Sequence, residues 1–385
     1  MQFTRRNLFK TSAVALSATA VTNIISTDAF TAEATFKPSK ETPLLLNFNE
    51  NSLGMSPKAK AAVAKSLSEA FRYPDAARAS VIEKIASYLN VKSENITLGN
   101  GSSEVIQAAV QALIIKAQKA GKPVQLLEPV PTFNYAEIYS KAMNIPVVNV
   151  PIKGNGEIDI GALKKAENNF RGHTIVYLCN PNNPTARILD SKTLNTWIKT
   201  AKSTTFFIID EAYAEFVTDK NFQSCVELVK KGQKNLIVAR TFSKLFAMAA
   251  LRLGYGVATK ETAALIDSFQ SIDNTNLAGA VAGIESLDDK SFQELSLLSN
   301  QAAKKIVMNA FDELGIKYMP CEANFIFHQI KGNHQVYKDH MAAAHVFVGR
   351  AFPPFEHYNR LTIGTPEEMK AFVKVLKDFR KKGWI

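Results

Sequence analysis

The sequence predicts an α/β protein: a large domain built on a mostly parallel sheet, followed by a smaller α+β domain. Three observations carry that expectation. Short apolar runs alternate with helical stretches over about two hundred residues, the pattern of strands joined by crossover helices. Beyond Asn274 the alternation gives way to long helical stretches, 291–314 and 367–381, around short strand candidates at 323–327, 346–348 and 360–363. At 385 residues and 46% hydrophobic, the chain can also bury one large core and a second, smaller one. No internal repeat or low-complexity linker interrupts it.

Residues 1–34 stand apart from the fold. Thr4-Arg5-Arg6-Asn7-Leu8-Phe9-Lys10 sets paired arginines before a mildly apolar stretch, 13–25. Ala32-Glu33-Ala34 then offers small residues at the spacing a signal peptidase reads. The arrangement resembles a twin-arginine signal peptide, which implies export to the periplasm; without export the protein would be cytoplasmic. The apolar stretch is too short and too rich in Thr, Ser and Ala for a transmembrane helix, so no stable membrane anchor is expected. The formal net charge is +11, and removing residues 1–34, with three basic and two acidic side chains, leaves +10. The basic character therefore belongs to the folded part. It comes as pairs and short groups among acids, with no nucleic-acid-binding signature, so small anionic molecules are the expected ligands and nucleic acid is not. Cys179, Cys225 and Cys321 lie far apart with no C-x-x-C, which supports neither a metal site nor a disulfide framework; a single disulfide stays open.

Residues 35–75 read as an N-terminal arm and part of the small domain. An extended run, 42–48, leads into the polar loop Asn49-Glu50-Asn51-Ser52-Leu53-Gly54. Ser56-Pro57 opens a helix, the serine as N-cap and the proline in the first turn, and Arg72-Tyr73-Pro74-Asp75 breaks it. A second helix runs over about 77–89. The large domain spans 76–273, with strand candidates at 96–98, 124–127, 147–150, 174–178, 206–209 and 236–239 and helices at 105–117 and 133–143. The small C-terminal domain takes 274–385.

Ligands of open α/β sheets bind at the carboxyl ends of strands, where several loops of this chain carry suitable chemistry. Gly99-Asn100-Gly101-Ser102-Ser103-Glu104 combines a tight backbone with a helix N-terminus suited to phosphate, although an ordinary strand-to-helix turn looks the same. It lacks the third glycine of a dinucleotide fingerprint and the Gly-Lys-Ser/Thr of a nucleotide loop. Phe133 follows the next strand and offers a face for a heteroaromatic ring, or simply a core side chain. Asn180-Pro181-Asn182-Asn183-Pro184-Thr185 is a rigid loop from which an asparagine can donate to a phenolate oxygen, or a turn and nothing more.

Asp210 closes a four-residue apolar run, where a carboxylate is costly to bury without a cation. A protonated pyridine nitrogen would be one; a helix cap is the plainer reading. Tyr213 lies three residues on. Thr241-Phe242-Ser243-Lys244, with Arg252 eight residues later, combines an amine for a Schiff base with hydroxyls and a guanidinium for phosphate oxygens. In chain order these are a phosphate cradle, a ring stacker, a phenolate partner, a pyridinium partner and a Schiff-base lysine. Together they point to pyridoxal 5'-phosphate.

Over essentially the whole mature chain, from Asn47-Phe48-Asn49-Glu50-Asn51 to Leu361-Thr362-Ile363-Gly364-Thr365, the sequence resembles class I/II aminotransferases of fold type I, closest to the histidinol-phosphate aminotransferase group. The resemblance implies a seven-stranded, mostly parallel mixed sheet between helices. It implies that Lys244 forms the internal aldimine and shuttles the substrate proton, and that Asp210 pairs with the pyridine nitrogen. Asn183 and Tyr213 would bind the phenolate oxygen and Phe133 would stack on the ring. The phosphate would be held by Ser102, Ser103, Thr241, Ser243, Arg252 and a neighbouring subunit's Tyr73, which implies a homodimer with shared active sites. Arg360 would bind the substrate α-carboxylate, with Asn49, Asn51 and Arg350 near the substrate. Three positions depart from the family pattern: Phe133 stands for tyrosine, Ala186 for glycine and Ser103 for a frequent Asp.

The expected function is pyridoxal-phosphate-dependent transamination between an amino acid, or histidinol phosphate, and a 2-oxo acid such as 2-oxoglutarate. Export argues against histidinol phosphate as the physiological substrate. The alternatives are an exported aromatic amino-acid aminotransferase and a decarboxylase of a phosphorylated amino acid using the same cofactor residues. A non-enzymatic binding protein is disfavoured, because it has little need of Lys244, Asp210 and Tyr213 together.

Overall fold

In this computed structural model, residues 36–385 are described, and the export signal expected at residues 1–34 lies outside them. The strands, in chain order, are β1 (Leu44–Leu46), β2 (Ile96–Asn100), β3 (Val124–Val130), β4 (Val147–Pro151), β5 (His173–Cys179), β6 (Thr205–Asp210), β7 (Leu236–Thr241), β8 (Leu253–Ala258), β9 (Phe325–Gln329), β10 (Val346–Val348) and β11 (Tyr358–Thr362). Seven of them form one sheet in the order β2-β8-β7-β6-β5-β3-β4. The run from β7 to β4 is parallel, and β8 is antiparallel to both its neighbours. Parallel strands covered by helices on both faces are apolar throughout, and Leu236, Ile237, Val238 and Ala239 of β7 are fully buried.

Six of these strands coincide with apolar runs visible in the sequence. β8 does not, because the two glycines of Leu253-Gly254-Tyr255-Gly256-Val257-Ala258 read as loop. Packing requires one of them: a Cβ on Gly254 would collide with the backbone N of Ser102, so only glycine lets β8 lie against the start of the Ser102–Lys119 helix.

The helix expected at 133–143 forms only over Tyr135–Ala142, which leaves Phe133 and Asn134 in the loop above the sheet. The helix Leu277–Asp288 had no clear signal, since its small residues give little periodicity. It buries Ala280, Ala282 and Leu287 in the larger core, against helices Pro57–Ser66 and Asp75–Leu89. Helix starts follow their caps. Ser56 accepts from the Ala59 N–H at 3.1 Å, and Thr365 and Glu368 form a reciprocal capping box ahead of Pro366–Lys381.

The second core joins the two ends of the chain. β1 pairs in parallel with β10, and β9 pairs antiparallel with β11, setting Arg360 opposite Phe327. Leu44, Leu46, Phe311, Ile326, Met341, Leu361 and Phe372 fill it. The loop after β1 is thereby carried over the carboxyl ends of β5, β6 and β7, where it meets Tyr213 and Lys244. All three cysteines are free, which leaves the open disulfide unformed. Among the described residues there is no His/Cys/Asp/Glu cluster able to hold a metal, and no helix long and apolar enough to cross a membrane.

Candidate active site

A cavity of about 590 Å³ opens at the carboxyl ends of the parallel strands, and residues from both cores line it. Its floor is Asp210, the last residue of β6. This carboxylate is buried, and no cation among the described residues lies within ion-pair distance of it. Its Oδ2 accepts from the Tyr177 hydroxyl at 3.0 Å and its Oδ1 from the Ala212 N–H at 3.1 Å. Burial raises its pKa to about 6, against the lowering effect of those hydrogen bonds. The loop bearing it is stapled from behind by a buried ion triad: Arg240 holds Glu211 at 2.6 Å and Glu215 at 3.1 Å.

Lys244 follows β7, and its Nζ donates to the Phe48 carbonyl at 3.1 Å and lies 5.6 Å from the centre of the Tyr213 ring. Burial, and then the Arg360 guanidinium, lower its pKa to about 8. A substantial neutral fraction is therefore present near physiological pH, as a nucleophilic or basic amine requires. Competitive acetylation of the ligand-free protein with trace acetic anhydride should show Lys244 reacting half-maximally near pH 8. Surface lysines should do so about two units higher. A midpoint for Lys244 shared with the surface lysines would contradict this.

One end of the cavity is a cradle. The Ser102–Lys119 helix starts at Gly101 without a side-chain cap, so its first N–H groups, those of Ser102 and Ser103, are free to meet an anion. Gly101 has φ +74°, and a Cβ there would meet the Arg252 guanidinium at 2.5 Å. Arg252 is fixed by donating to the Ala249 carbonyl at 2.9 Å and the Asn100 carbonyl at 3.0 Å. Thr241 and Ser243 complete the cradle, their hydroxyls 2.9 Å apart. Phe133 lines the cavity and packs on Tyr135 with ring centres 4.2 Å apart.

The other end is shaped for a second anion. Arg360 donates to Asn183 Oδ1 at 2.8 Å and to the Asn47 carbonyl at 2.5 Å, so Asn183 presents its amide N–H₂ as its free end. Arg350 lies beside it, its guanidinium 4.2 Å from the centre of the Phe352 ring. Asn49 is buried with φ 57°, bonded to Thr362, and donates to the Tyr213 hydroxyl at 3.0 Å. Five cationic side chains (Lys244, Arg252, Lys338, Arg350 and Arg360) line the cavity against one carboxylate, Asp210. None of the five is within ion-pair distance of a carboxylate among the described residues. Such a wall selects anionic ligands.

Of the residues expected at the site, two are not on this wall. Asn51 instead donates to the Leu245 carbonyl at 2.8 Å and to Ser296 Oγ at 3.2 Å, tying the N-terminal loop to the large core. Tyr73 is 77% exposed on the surface. Lys338, Phe352 and Tyr177 had no sequence signal: the first two reach the cavity from the C-terminal part of the chain, and Tyr177 reads as an ordinary strand residue. Ala186, where the family pattern has glycine, takes φ 58°, the left-handed region that favours glycine.

The family described as aminotransferase class I and II matches residues 41–376. The histidinol-phosphate aminotransferase of Moorella thermoacetica is 31% identical over 86% of this chain and 83% of its own. A crystal structure from Erwinia carotovora atroseptica, provisionally described as a histidinol-phosphate aminotransferase, superposes with TM-score 0.88 at 39% identity, covering 91% of this chain and 100% of that one. The histidinol-phosphate aminotransferase of Sinorhizobium meliloti, in complex with pyridoxal-5'-phosphate, shares the fold at TM-score 0.80 and 19% identity, over 96% of each chain.

Proposed function

The chain belongs to the class I and II aminotransferases, and from that premise we propose how its own residues divide the work of the cavity around Lys244. It is a pyridoxal-phosphate-dependent transaminase. The observation that carries the assignment of roles is the placement in one cavity of Lys244 and a buried Asp210 that has no ion-pair partner among the described residues. The cavity suits the cofactor: the glycine-lined cradle at Gly101 takes a phosphate, and Asp210 lacks the cation that a pyridinium would supply.

Ser102, Ser103, Thr241, Ser243 and Arg252 would hold the phosphate, Phe133 the ring face, and Asn183 and Tyr213 the phenolate oxygen. Asp210 would face the ring nitrogen, and Lys244 would hold the group through its amine. When bound, pyridoxal phosphate supplies an electron sink for the α-carbon of an amino acid. Arg360 binds the substrate α-carboxylate, with Asn49 and Arg350 beside it. Lys244, once its amine is free and neutral, would take the proton from the substrate α-carbon and hold it on Nζ for delivery to the cofactor side rather than back to that carbon. Phe48 and Phe352 line the cavity and add apolar surface to it.

The amino acceptor is a 2-oxo acid, with 2-oxoglutarate expected, and the relatives' names make histidinol phosphate a donor to be tried beside glutamate and aromatic amino acids. The test is a half-reaction. The loaded enzyme mixed with an amino donor alone should lose its visible absorbance and release one 2-oxo product per site, and a 2-oxo acid should restore the band. Release of carbon dioxide without a 2-oxo product would instead indicate decarboxylation. Arg360→Gln should raise KM for α-carboxylate donors about 10- to 100-fold, the loss of one charge-assisted bidentate contact.

Leu67, Phe71 and Tyr73, close together in the sequence, are each exposed large apolar side chains. A second copy of this chain covering them would bring its own Tyr73 toward the phosphate cradle, giving a homodimer with shared sites; a monomer in sedimentation would overturn this. Export through residues 1–34 places the enzyme in the periplasm. Fractionation that finds only full-length protein in the cytosol would remove that step.

A further inference from the structure

Tyr177 lies on β5, one strand over from Asp210 on β6 and on the same face of the sheet, since Cys179 is the direct partner of Asp210. It is fully buried and stands behind the cavity wall, so it reaches a ligand only through Asp210. Its neighbours Val176 and Leu178 are apolar, and a phenylalanine would fill the same volume. The one thing its hydroxyl does is donate to Asp210 Oδ2 at 3.0 Å, while the Ala212 N–H engages Oδ1 at 3.1 Å.

We propose that Tyr177 is a positioning residue for Asp210: with the Ala212 N–H it locks both carboxylate oxygens in one orientation and keeps the buried group ionised. The inference rests on the reading of Asp210 as the partner of the cofactor's ring nitrogen. A carboxylate held by donors on both oxygens loses no time among rotamers, and each donor favours its charged form. Burial opposes ionisation at Asp210, and among the opposing influences the Tyr177 hydroxyl comes first, ahead of the Ala212 N–H and Lys244. The charged and titratable groups around the pair are Cys179 from β5, Glu128 from β3 on the Tyr177 side, Lys244 after β7, and Glu211 and Tyr213 from the loop of Asp210 itself. Of these, only Tyr177 is hydrogen-bonded to the carboxylate through a side chain.

Infrared difference titration of the ligand-free protein, with the Asp210 carboxyl assigned through Asp210→Asn, tests this directly. In Tyr177→Phe the protonation midpoint of Asp210 should rise by about one pH unit, the usual worth of one hydrogen bond to a carboxylate. In the loaded enzyme, turnover should fall about threefold at pH 6.5, as the ionised fraction of Asp210 falls with the raised midpoint, and hardly at all at pH 8.5, with KM for the amino donor little changed. Site-specific 3-fluorotyrosine at 177, a stronger donor of the same shape, should move the midpoint down and keep the test open if Tyr177→Phe folds poorly. An unmoved midpoint in both variants, or a turnover loss equal at every pH, would reduce Tyr177 to core packing. Full turnover in Asp210→Asn would instead remove the reading of Asp210 on which the proposal stands.

Discussion

Lys244→Ala is expected to lower transamination about 10⁴-fold or more while leaving the protein folded. The size of the loss follows from two roles on one amine. Burial and Arg360 lower the pKa of Lys244 to about 8, so its amine is available in neutral form near physiological pH. It would also carry the proton that leaves the α-carbon. The arginines of the wall cannot take over, since a guanidinium stays protonated, and the Tyr213 hydroxyl is pushed further above its ordinary value by burial. Stability of the ligand-free protein should not fall, because Lys244 makes a single hydrogen bond, to the Phe48 carbonyl, and below about pH 8 its buried charge is itself unfavourable. Turnover measured beside thermal melting checks both halves. Lys244→Ala with more than about a hundredth of native turnover would remove the lysine from the chemistry.

Asp210→Asn should act in opposite directions on activity and stability. Turnover should fall about 10²- to 10³-fold, the usual loss when a buried charge that stabilises developing charge is removed. The ligand-free protein, however, should become more stable. The folded-state pKa of Asp210 is about 6 against 3.8 for the ordinary carboxyl. The folded protein therefore holds that proton more tightly than the unfolded chain. The associated stability is fully present below about pH 4 and is lost as the pH rises through about 6. Above pH 6 the ionised, buried carboxylate costs about 3 kcal/mol, from a shift of about two units. Asparagine keeps an acceptor for the Ala212 N–H and carries no charge, so it escapes that cost. Melting of the ligand-free proteins should show Asp210→Asn gaining over the native protein between pH 4 and 6 and then holding the gain. A variant less stable than the native protein at pH 8 would contradict the assignment of Asp210 as a strained, cation-seeking group.

Much of the fold was legible because parallel strands buried on both faces must be apolar along their length, as 174–178 and 236–239 are. β8 was not, since its two glycines serve close packing, and packing partners far along the chain leave no local trace. The same holds for Leu277–Asp288, whose alanines and glycines let helices approach but carry no period. At the site, Gly101, Asp210, Ser243 and Lys244 were visible because each residue type is chemically unusual at a strand end. Asn51 was misplaced: its neighbour Asn49 turns through φ 57° toward Tyr213, and that turn aims the two asparagines at different partners.

By itself the sequence determined the layering of the chain, the class of cofactor and the lysine to test first, because those rest on residue type and order. Only the tertiary structure decided how the groups are tuned. Burial sets Lys244 near 8 and Asp210 near 6, Arg360 is oriented by Asn183 and the Asn47 carbonyl, and Tyr177 is joined to Asp210 across a strand boundary. A pKa and a hydrogen bond depend on what surrounds a group in space, and those surroundings are assembled from segments up to 313 residues apart.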